Sequence, residues 1–380
     1  MKTSSVLFEE LPCANGKAIA IGTLNAPKSL NALNLSMIHA LSNQLPLWLA
    51  DDKIAIIILQ GAGDNAFCAG GDVVSIYHDL LQLRAKTDSD SKKNERILTK
   101  TEISNALAVE FFTQEYQLDE LIHQASKPIL ALADGYVMGG GVGIMAGASH
   151  RVGTQRTVLS MPEISIGLYP DVGASWFLNQ MPKGTGLFVG LTGCFFNAID
   201  GQYLGLIDDV IPHETITHLK EQLIQVDWQT NERQNHLLLS KAIDACSQKH
   251  TNTHQSVFEK EQDFMASLAS MDYIHDIYQA IMSTTFEKPM LEKAQHKLSK
   301  GSWLSAHLIF QQLSLCKGLT LSECFAHELA LSLRCCQYPE FMEGVRALLV
   351  DKDQKPNWYA YAPDAIDSQL VQWFFNDETE

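Results

Sequence analysis

The sequence predicts an α/β domain over residues 1–205 followed by a helical lobe. Three observations predict this. Short aliphatic stretches alternate with amphipathic helical ones from residue 6 to about 205. The run Ile54-Ala-Ile-Ile-Ile-Leu59 has the β-branched bias of a strand buried on both faces. Beyond residue 206 strand signals fade and apolar residues recur at helical spacing.

In chain order, Lys17 to Leu24 reads as a strand, Leu35 to about Leu49 as an amphipathic helix, and Ile54 to Leu59 as the buried strand. A second set begins with a helix from about Ile103 to Ile122 and a strand at Pro128 to Ala133. A glycine-rich turn then opens an apolar helix at Gly141 to Gly147, and strands recur at Arg151 to Val152 and Thr157 to Leu159. Between the sets, Lys86 to Lys100 is polar and lacks apolar periodicity, so it is expected to be solvated and mobile. In the last third, Phe264, Leu268, Met271, Ile274, Ile277, Tyr278 and Ile281 form one helical stripe. The expected division is a core at 1–205 carrying the site, a helical lobe at 206–350 and a tail at 351–380.

Composition excludes several functions. With 46% hydrophobic residues the chain can bury a sizeable core, but its longest aliphatic run is too short to cross a bilayer, so no membrane association is expected. Met1 to Cys13 lacks a basic stretch followed by a long apolar run, and a cytoplasmic protein is expected. A formal charge of −16 disfavours nucleic acid as a partner. Eight cysteines without a CxxC pair fit reduced thiols, and thirteen histidines without ligand spacing give no metal site. The pair His327-Glu328 is followed by Ala330 and Leu331 where a second ligand would be needed, and reads as an exposed helix face. Lys92, Lys93 and Arg96 read as a solvated charge run.

Two glycine motifs follow buried strands: Phe67-Cys-Ala-Gly-Gly-Asp72 and Val137-Met-Gly-Gly-Gly-Val-Gly143. Such turns can point backbone N–H groups at a ligand, and two of them could form an oxyanion hole for a reacting thioester carbonyl. The plainer reading is tight turns and close packing. Three acidic residues also stand out. Glu163 sits among Val158, Leu159, Ile164, Ile166 and Leu168, where desolvation would raise its pKa into the range of a general base or acid. Asp171, in Tyr169-Pro-Asp-Val-Gly173, precedes an apolar helix and could be a simple N-cap. Glu115 fills a position in the apolar stripe of Ile103, Leu107, Phe111, Leu118 and Ile122, so it should be ion-paired or functional.

Taken together, Asn31-Ala-Leu-Asn34, Phe67-Cys-Ala-Gly-Gly-Asp72 and Ala133-Asp-Gly-Tyr-Val-Met-Gly-Gly-Gly141 resemble the crotonase superfamily. The resemblance implies a spiral of repeated ββα units that binds acyl-coenzyme A, with oxyanion donors at Gly71 and Gly140. It also implies substrate contacts from Ala69, Asp72, Lys28 and the turn Asn31-Ala32-Leu33, although an exposed lysine is more often merely solvated. Met161-Pro-Glu-Ile-Ser-Ile-Gly-Leu-Tyr-Pro-Asp-Val-Gly173, Phe111-Phe-x-x-Glu-Tyr116 and the segment Glu340 to Trp358 resemble the 3-hydroxyisobutyryl-CoA hydrolase branch, in which the Glu and Asp form the active pair. That branch implies Glu163 and Asp171 as catalytic, Glu115 at the acyl pocket and a place in valine breakdown. Hydratases of the superfamily carry a second glutamate where this chain has Gly143, which disfavours a simple hydratase. The resemblance implies no cofactor beyond the coenzyme A of the substrate, and a homo-oligomer is compatible with it. The alternatives are an isomerase or one-carboxylate hydratase of the same fold, and a non-catalytic coenzyme A binder.

Overall fold

Ile54–Leu59 lies at the heart of a parallel sheet, every residue of the run buried. The computed structural model describes residues 4–87, 96–247, 255–359 and 366–376. The chain forms two compact units, each assembled from separated stretches: residues 1–71, 117–159 and 196–260 make the first, and 72–116, 160–195 and 261–380 the second. The division expected near residue 205 is not one of these crossing points, and the helical stretch beyond 206 is shared between the units at 260/261.

The strands are β1 (Val6–Pro12), β2 (Ala18–Leu24), β3 (Ile54–Gly61), β4 (Ala66–Cys68), β5 (Ile129–Ala133), β6 (Tyr136–Met138), β7 (His150–Gly153), β8 (Val158–Ser160), β9 (Phe196–Asn197) and β10 (Asp209–Val210). Six of them form one sheet in the order β1-β2-β3-β5-β7-β10, antiparallel only at β1–β2. The others form a small sheet in the order β4-β6-β8-β9. Ile56 and Ile58 of β3 share a core with Ile19, Ile21, Leu130 and Leu132, roofed by Leu219 and Leu223 of the helix Ile216–Gln225 and by Leu239 and Ile243 of the helix Glu232–Cys246. The helix expected from Leu35 runs Leu35–Ala50, its start fixed by the Asn34 side chain accepting from Met37 N–H.

The second unit is mostly helical, and two expected helices are broken in it. The stripe from Ile103 to Ile122 is divided between Lys100–Ile103 and Leu107–His123. Thr99 and Glu102 form a capping box that starts the short helix, Ser104 Oγ donates to the Thr101 carbonyl, and the Asp79 carboxylate accepts from Leu107 N–H at the new start. The stripe from Phe264 to Ile281 is likewise two helices, Gln262–Leu268 and Ile274–Ser283. The first closes in the short bonds Ser270 N to Ser267 O and Met271 N to Leu268 O, while the apolar spacing carries on past the break.

Of the expected solvated segment, residues 88–95, with Lys92 and Lys93, lie outside the described residues. Its end is anchored rather than solvated: Leu98 is buried, its N–H donates to the Gln337 carbonyl, and Arg96 pairs with Glu102 at 2.7 Å. In the tail, a helix at Ser368–Phe375 buries Phe374 against Tyr338. All eight cysteines are buried and unbridged. Among the described residues no helix is long and apolar enough to cross a membrane, and no group of three His, Cys, Asp or Glu is placed to hold a metal.

Candidate functional site

In the first unit, β4 and β6 pair in parallel with Cys68 opposite Val137, so the turns that follow them leave the same end of the small sheet. Each turn has a glycine in the left-handed region, Gly70 at φ 111° and Gly139 at φ 47°, directly before the expected donor. A side chain would strain the backbone at either point. Gly140 is the first residue of the helix Gly140–Gly147, whose N–H groups there have no acceptor within the helix. Neither Gly71 N–H nor Gly140 N–H has an acceptor among the described residues. Two free N–H groups at adjacent strand ends suit an oxygen that gains negative charge.

The turn from Lys28 to Leu33 is stitched to the first glycine motif. Leu33 N–H donates to the Gly70 carbonyl and Ala69 N–H to the Leu30 carbonyl, with Leu33 bridged to Gly71. This places Ala69, Ala32 and Leu33 beside Gly71. Asn31 is fully buried, and its side chain accepts from Ala26 N–H and donates to the carbonyls of Ala62 and Ala66. That amide is committed to holding the turn, so its side chain is not offered to a ligand. Lys28 is exposed on a short 3-10 turn.

In the second unit, Asp72 accepts from Ser75 N–H and Ser75 Oγ, the geometry of a helix start before Val73–Thr87. Glu163 opens the 3-10 turn Glu163–Ile166 and is 5% exposed, with Oε2 lacking a hydrogen-bond partner among the described residues. Burial, with the Asp171 charge next, pushes its carboxyl well above the usual carboxylate range. Lys297, on the helix Pro289–Lys300, pulls the other way. Its ammonium donates to the Gly193 carbonyl and lies 3.8 Å from the centre of the Phe195 ring.

Glu115 is 2% exposed, and its Oε1 has no partner among the described residues. Burial and the charges of Asp171 and Glu163 keep its carboxyl well above the usual range. Among the described residues no cation pairs with it, so the ion-pair reading of Glu115 fails. Asp171 is 5% exposed, and its Oδ2 accepts from Tyr116 OH at 2.6 Å. Burial raises its carboxyl to about 6 against the pull of that hydroxyl.

Asp171 is not the cap of the following helix. That helix, Ala174–Gln180, begins at Gly173 without a side-chain cap from its own start, and the Glu328 carboxylate accepts from Gly173 N–H at 2.7 Å and Ser175 N–H at 2.8 Å. The expected exposed face at His327-Glu328 is therefore corrected at Glu328, which is completely buried, while His327 is exposed. The sequence reading also gave no role to Tyr116, Lys297 or Ser332. Ser332 Oγ touches Tyr116 OH and Tyr169 OH at 2.7 and 2.9 Å. Ser332 lies one helical turn from Glu328, whose burial the sequence does not show, so no local signal marks it.

The enoyl-CoA hydratase/isomerase family model matches residues 19–375. The chain is 34% identical to the mitochondrial 3-hydroxyisobutyryl-CoA hydrolase of Danio rerio, over 99% of this chain and 91% of that one. The enzymes of the same name from Xenopus laevis and Homo sapiens are 33% and 32% identical, over 99% and 93% of this chain and 89% and 83% of theirs. A carnitinyl-CoA dehydratase from Mycobacterium thermoresistibile superposes with a TM-score of 0.81 at 28% identity, covering 99% of this chain and 97% of that one. An enoyl-CoA hydratase from Rhodobacter sphaeroides 2.4.1 does so with a TM-score of 0.78 at 24% identity, covering 98% and 97%, and shows the fold alone. These structures bear out the crotonase-like α/β fold with its helical C-terminal region. The cytoplasmic placement expected from the sequence is overturned by the hydrolase relatives, each named as mitochondrial.

Proposed function

Because the chain belongs to the enoyl-CoA hydratase/isomerase family, we propose that it hydrolyses the thioester of a 3-hydroxyacyl-CoA, with 3-hydroxyisobutyryl-CoA as the preferred substrate. The products are the free hydroxy acid and coenzyme A, and no further cofactor takes part. The observation that carries the reading is the buried Glu163 carboxyl, with one oxygen unpartnered and a second carboxyl, Asp171, near enough to raise its pKa. The names of the relatives supply the substrate.

Thioester hydrolysis needs a base or nucleophile and a place for the oxyanion. Glu163 fits the first need. It either takes a proton from the attacking water or attacks the carbonyl carbon itself, giving a mixed anhydride that water then opens. In both routes a C–O bond forms, the C–S bond breaks, and the departing thiolate takes up a proton. The N–H groups of Gly71 and Gly140 fit the second need, as donors to the carbonyl oxygen while it carries negative charge. Asp171 is assigned to the substrate hydroxyl or to the proton of the leaving sulfur, and Glu115 to the acyl pocket.

The relative named a carnitinyl-CoA dehydratase makes addition or elimination across a carbon–carbon double bond the second reading. Free thiol separates the two. Purified protein is offered 3-hydroxyisobutyryl-, 3-hydroxypropionyl-, acetyl- and crotonyl-CoA with a thiol reagent. Release of coenzyme A fastest from the 3-hydroxyisobutyryl ester is expected. Hydration of crotonyl-CoA with no thiol released from any ester would overturn the proposal. One turnover in ¹⁸O-water then tests for the anhydride, because label enters the Glu163 carboxyl only when an anhydride forms and water opens it at the glutamyl carbonyl.

A further inference from the structure

Glu328 lies on the helix Leu321–Gln337 and is completely buried. No cation among the described residues pairs with it. Its two oxygens instead accept from the N–H groups of Gly173 and Ser175, the first of which an Asp171 cap would take. The backbone between Asp171 and Gly173 is unusual: Val172, a buried β-branched residue, has φ 57°, a conformation that costs free energy unless its surroundings impose it. From the same helix, the Glu328 carbonyl accepts from Tyr169 OH at 2.6 Å, and Ser332 Oγ meets both Tyr169 OH and Tyr116 OH. Tyr116 OH in turn donates to Asp171. One helix therefore grips the Tyr169–Ser175 segment on both sides of Asp171.

We propose that Glu328 is a positioning residue for Asp171: by taking over the N–H groups at the start of the helix Ala174–Gln180 and imposing the left-handed Val172 turn, it frees the Asp171 carboxylate from capping and aims it for chemistry. This rests on the hydrolase reading of Asp171 given above. Glu328 touches no substrate and acts only through the turn. Both facing groups are donors, so both side-chain oxygens at this position must accept. A glutamine would set its own NH2 against one of them.

The test is a double-mutant cycle on kcat/KM for 3-hydroxyisobutyryl-CoA, with the melting temperature of each variant recorded. Glu328→Gln is expected to lower kcat/KM about tenfold or more in the native background but by less than about twofold in an Asp171→Asn background, because the residue it positions is already gone. No loss, or equal fold-losses in the two backgrounds, would overturn the clamp. If Glu328→Gln does not fold, Glu328→Asp keeps two acceptor oxygens but is one methylene too short to reach both N–H groups. It must then show the same loss in the native background and the same silence beside Asp171→Asn. Full turnover by Asp171→Asn alone would overturn the clamp together with the role given to Asp171. That outcome is distinct from an impaired Asp171→Asn enzyme with additive Glu328 losses, which sinks the clamp and leaves the hydrolase reading standing.

Discussion

Tyr116 donates its phenolic proton to Oδ2 of Asp171 at 2.6 Å, inside a part of the second unit where both residues are almost wholly buried. Burial alone would favour the protonated acid. A hydrogen bond from a neutral donor favours the carboxylate, so the two effects oppose each other and leave Asp171 at about 6. Ser332 Oγ holds the phenol from the other side and is itself hydrogen-bonded to Tyr169 OH.

Removing that hydroxyl should let burial prevail. Tyr116→Phe is expected to raise the Asp171 pKa above its value of about 6, by about one unit, since a hydrogen bond to a charged group contributes about 1.5–3 kcal/mol and one unit is about 1.4 kcal/mol. In the pH profile of kcat/KM the step belonging to Asp171 should move to higher pH. A step that stays in place, or moves down, would show that Tyr116 does not hold the ionised form.

Asp171 itself separates capping from chemistry. Because Glu328 already accepts from Gly173 and Ser175, Asp171→Asn and Asp171→Ser should change stability by less than about 1 kcal/mol. Turnover should nevertheless fall about a hundredfold, since neither side chain can carry the charge or deliver the proton. Near-normal rates with a lowered melting temperature would return Asp171 to a structural role.

The same residues show what the sequence could and could not disclose. Ile54–Leu59 announced its strand because burial on both faces demands an unbroken aliphatic run. The glycine turns were legible because Gly70 and Gly139 adopt backbone angles that other residues resist. Glu163 was legible as an acid in an apolar neighbourhood. Asp171 before a helix is also a common local pattern, but the cap came from a residue 155 positions away in sequence. No periodicity reports such a partner, and Glu328 in its own segment resembled any glutamate on a helix face. Lys297 escaped notice for the same reason, being one of several lysines on the helix Pro289–Lys300. The helix breaks after Ile103 and Leu268 were missed because the apolar stripe continues across them while local hydrogen bonds interrupt the backbone.

Glu163→Gln tests the base or nucleophile directly. The amide preserves shape, so the protein should fold, while kcat should drop by about a hundredfold or more. The wild-type rate should also climb with pH along a limb above the usual carboxylate range, because Glu163 must lose a proton that burial and Asp171 make it keep. Near-normal turnover of the variant would move the chemistry elsewhere.

Glu328 gives a stability test whose sign is set by burial. Its pKa is raised from 4.5 to about 8 in the folded protein, so the native state holds a proton that the unfolded chain releases in this window. Stability from this group is fully present below about pH 4.5 and is lost as pH rises toward 8. Melting temperature should therefore fall over that range more steeply for the native protein than for Glu328→Gln, which has no proton to lose. Parallel curves would mean that Glu328 is already ionised across the window, held by its two N–H donors.

Glu115 separates function from stability in the opposite direction. It is 2% exposed, no cation pairs with it among the described residues, and its Oε1 lacks a hydrogen-bond partner there. A buried polar atom left unpartnered costs about 1–3 kcal/mol, and the nearby charges of Asp171 and Glu163 add to the cost of ionising it. A glutamate kept there for packing alone is hard to explain, because an unbranched apolar side chain would fill the same stretch of the helix Leu107–His123 without that cost. Glu115→Met should therefore raise the melting temperature, most visibly at high pH where the carboxyl would otherwise be forced to ionise. The same variant should lose turnover on 3-hydroxyisobutyryl-CoA, since a polar group near enough to feel the charges of Glu163 and Asp171 has gone. A structural role predicts the reverse pair of results, a lower melting temperature with activity proportional to the folded fraction. Scanning calorimetry and the thiol-release assay on one preparation decide between them.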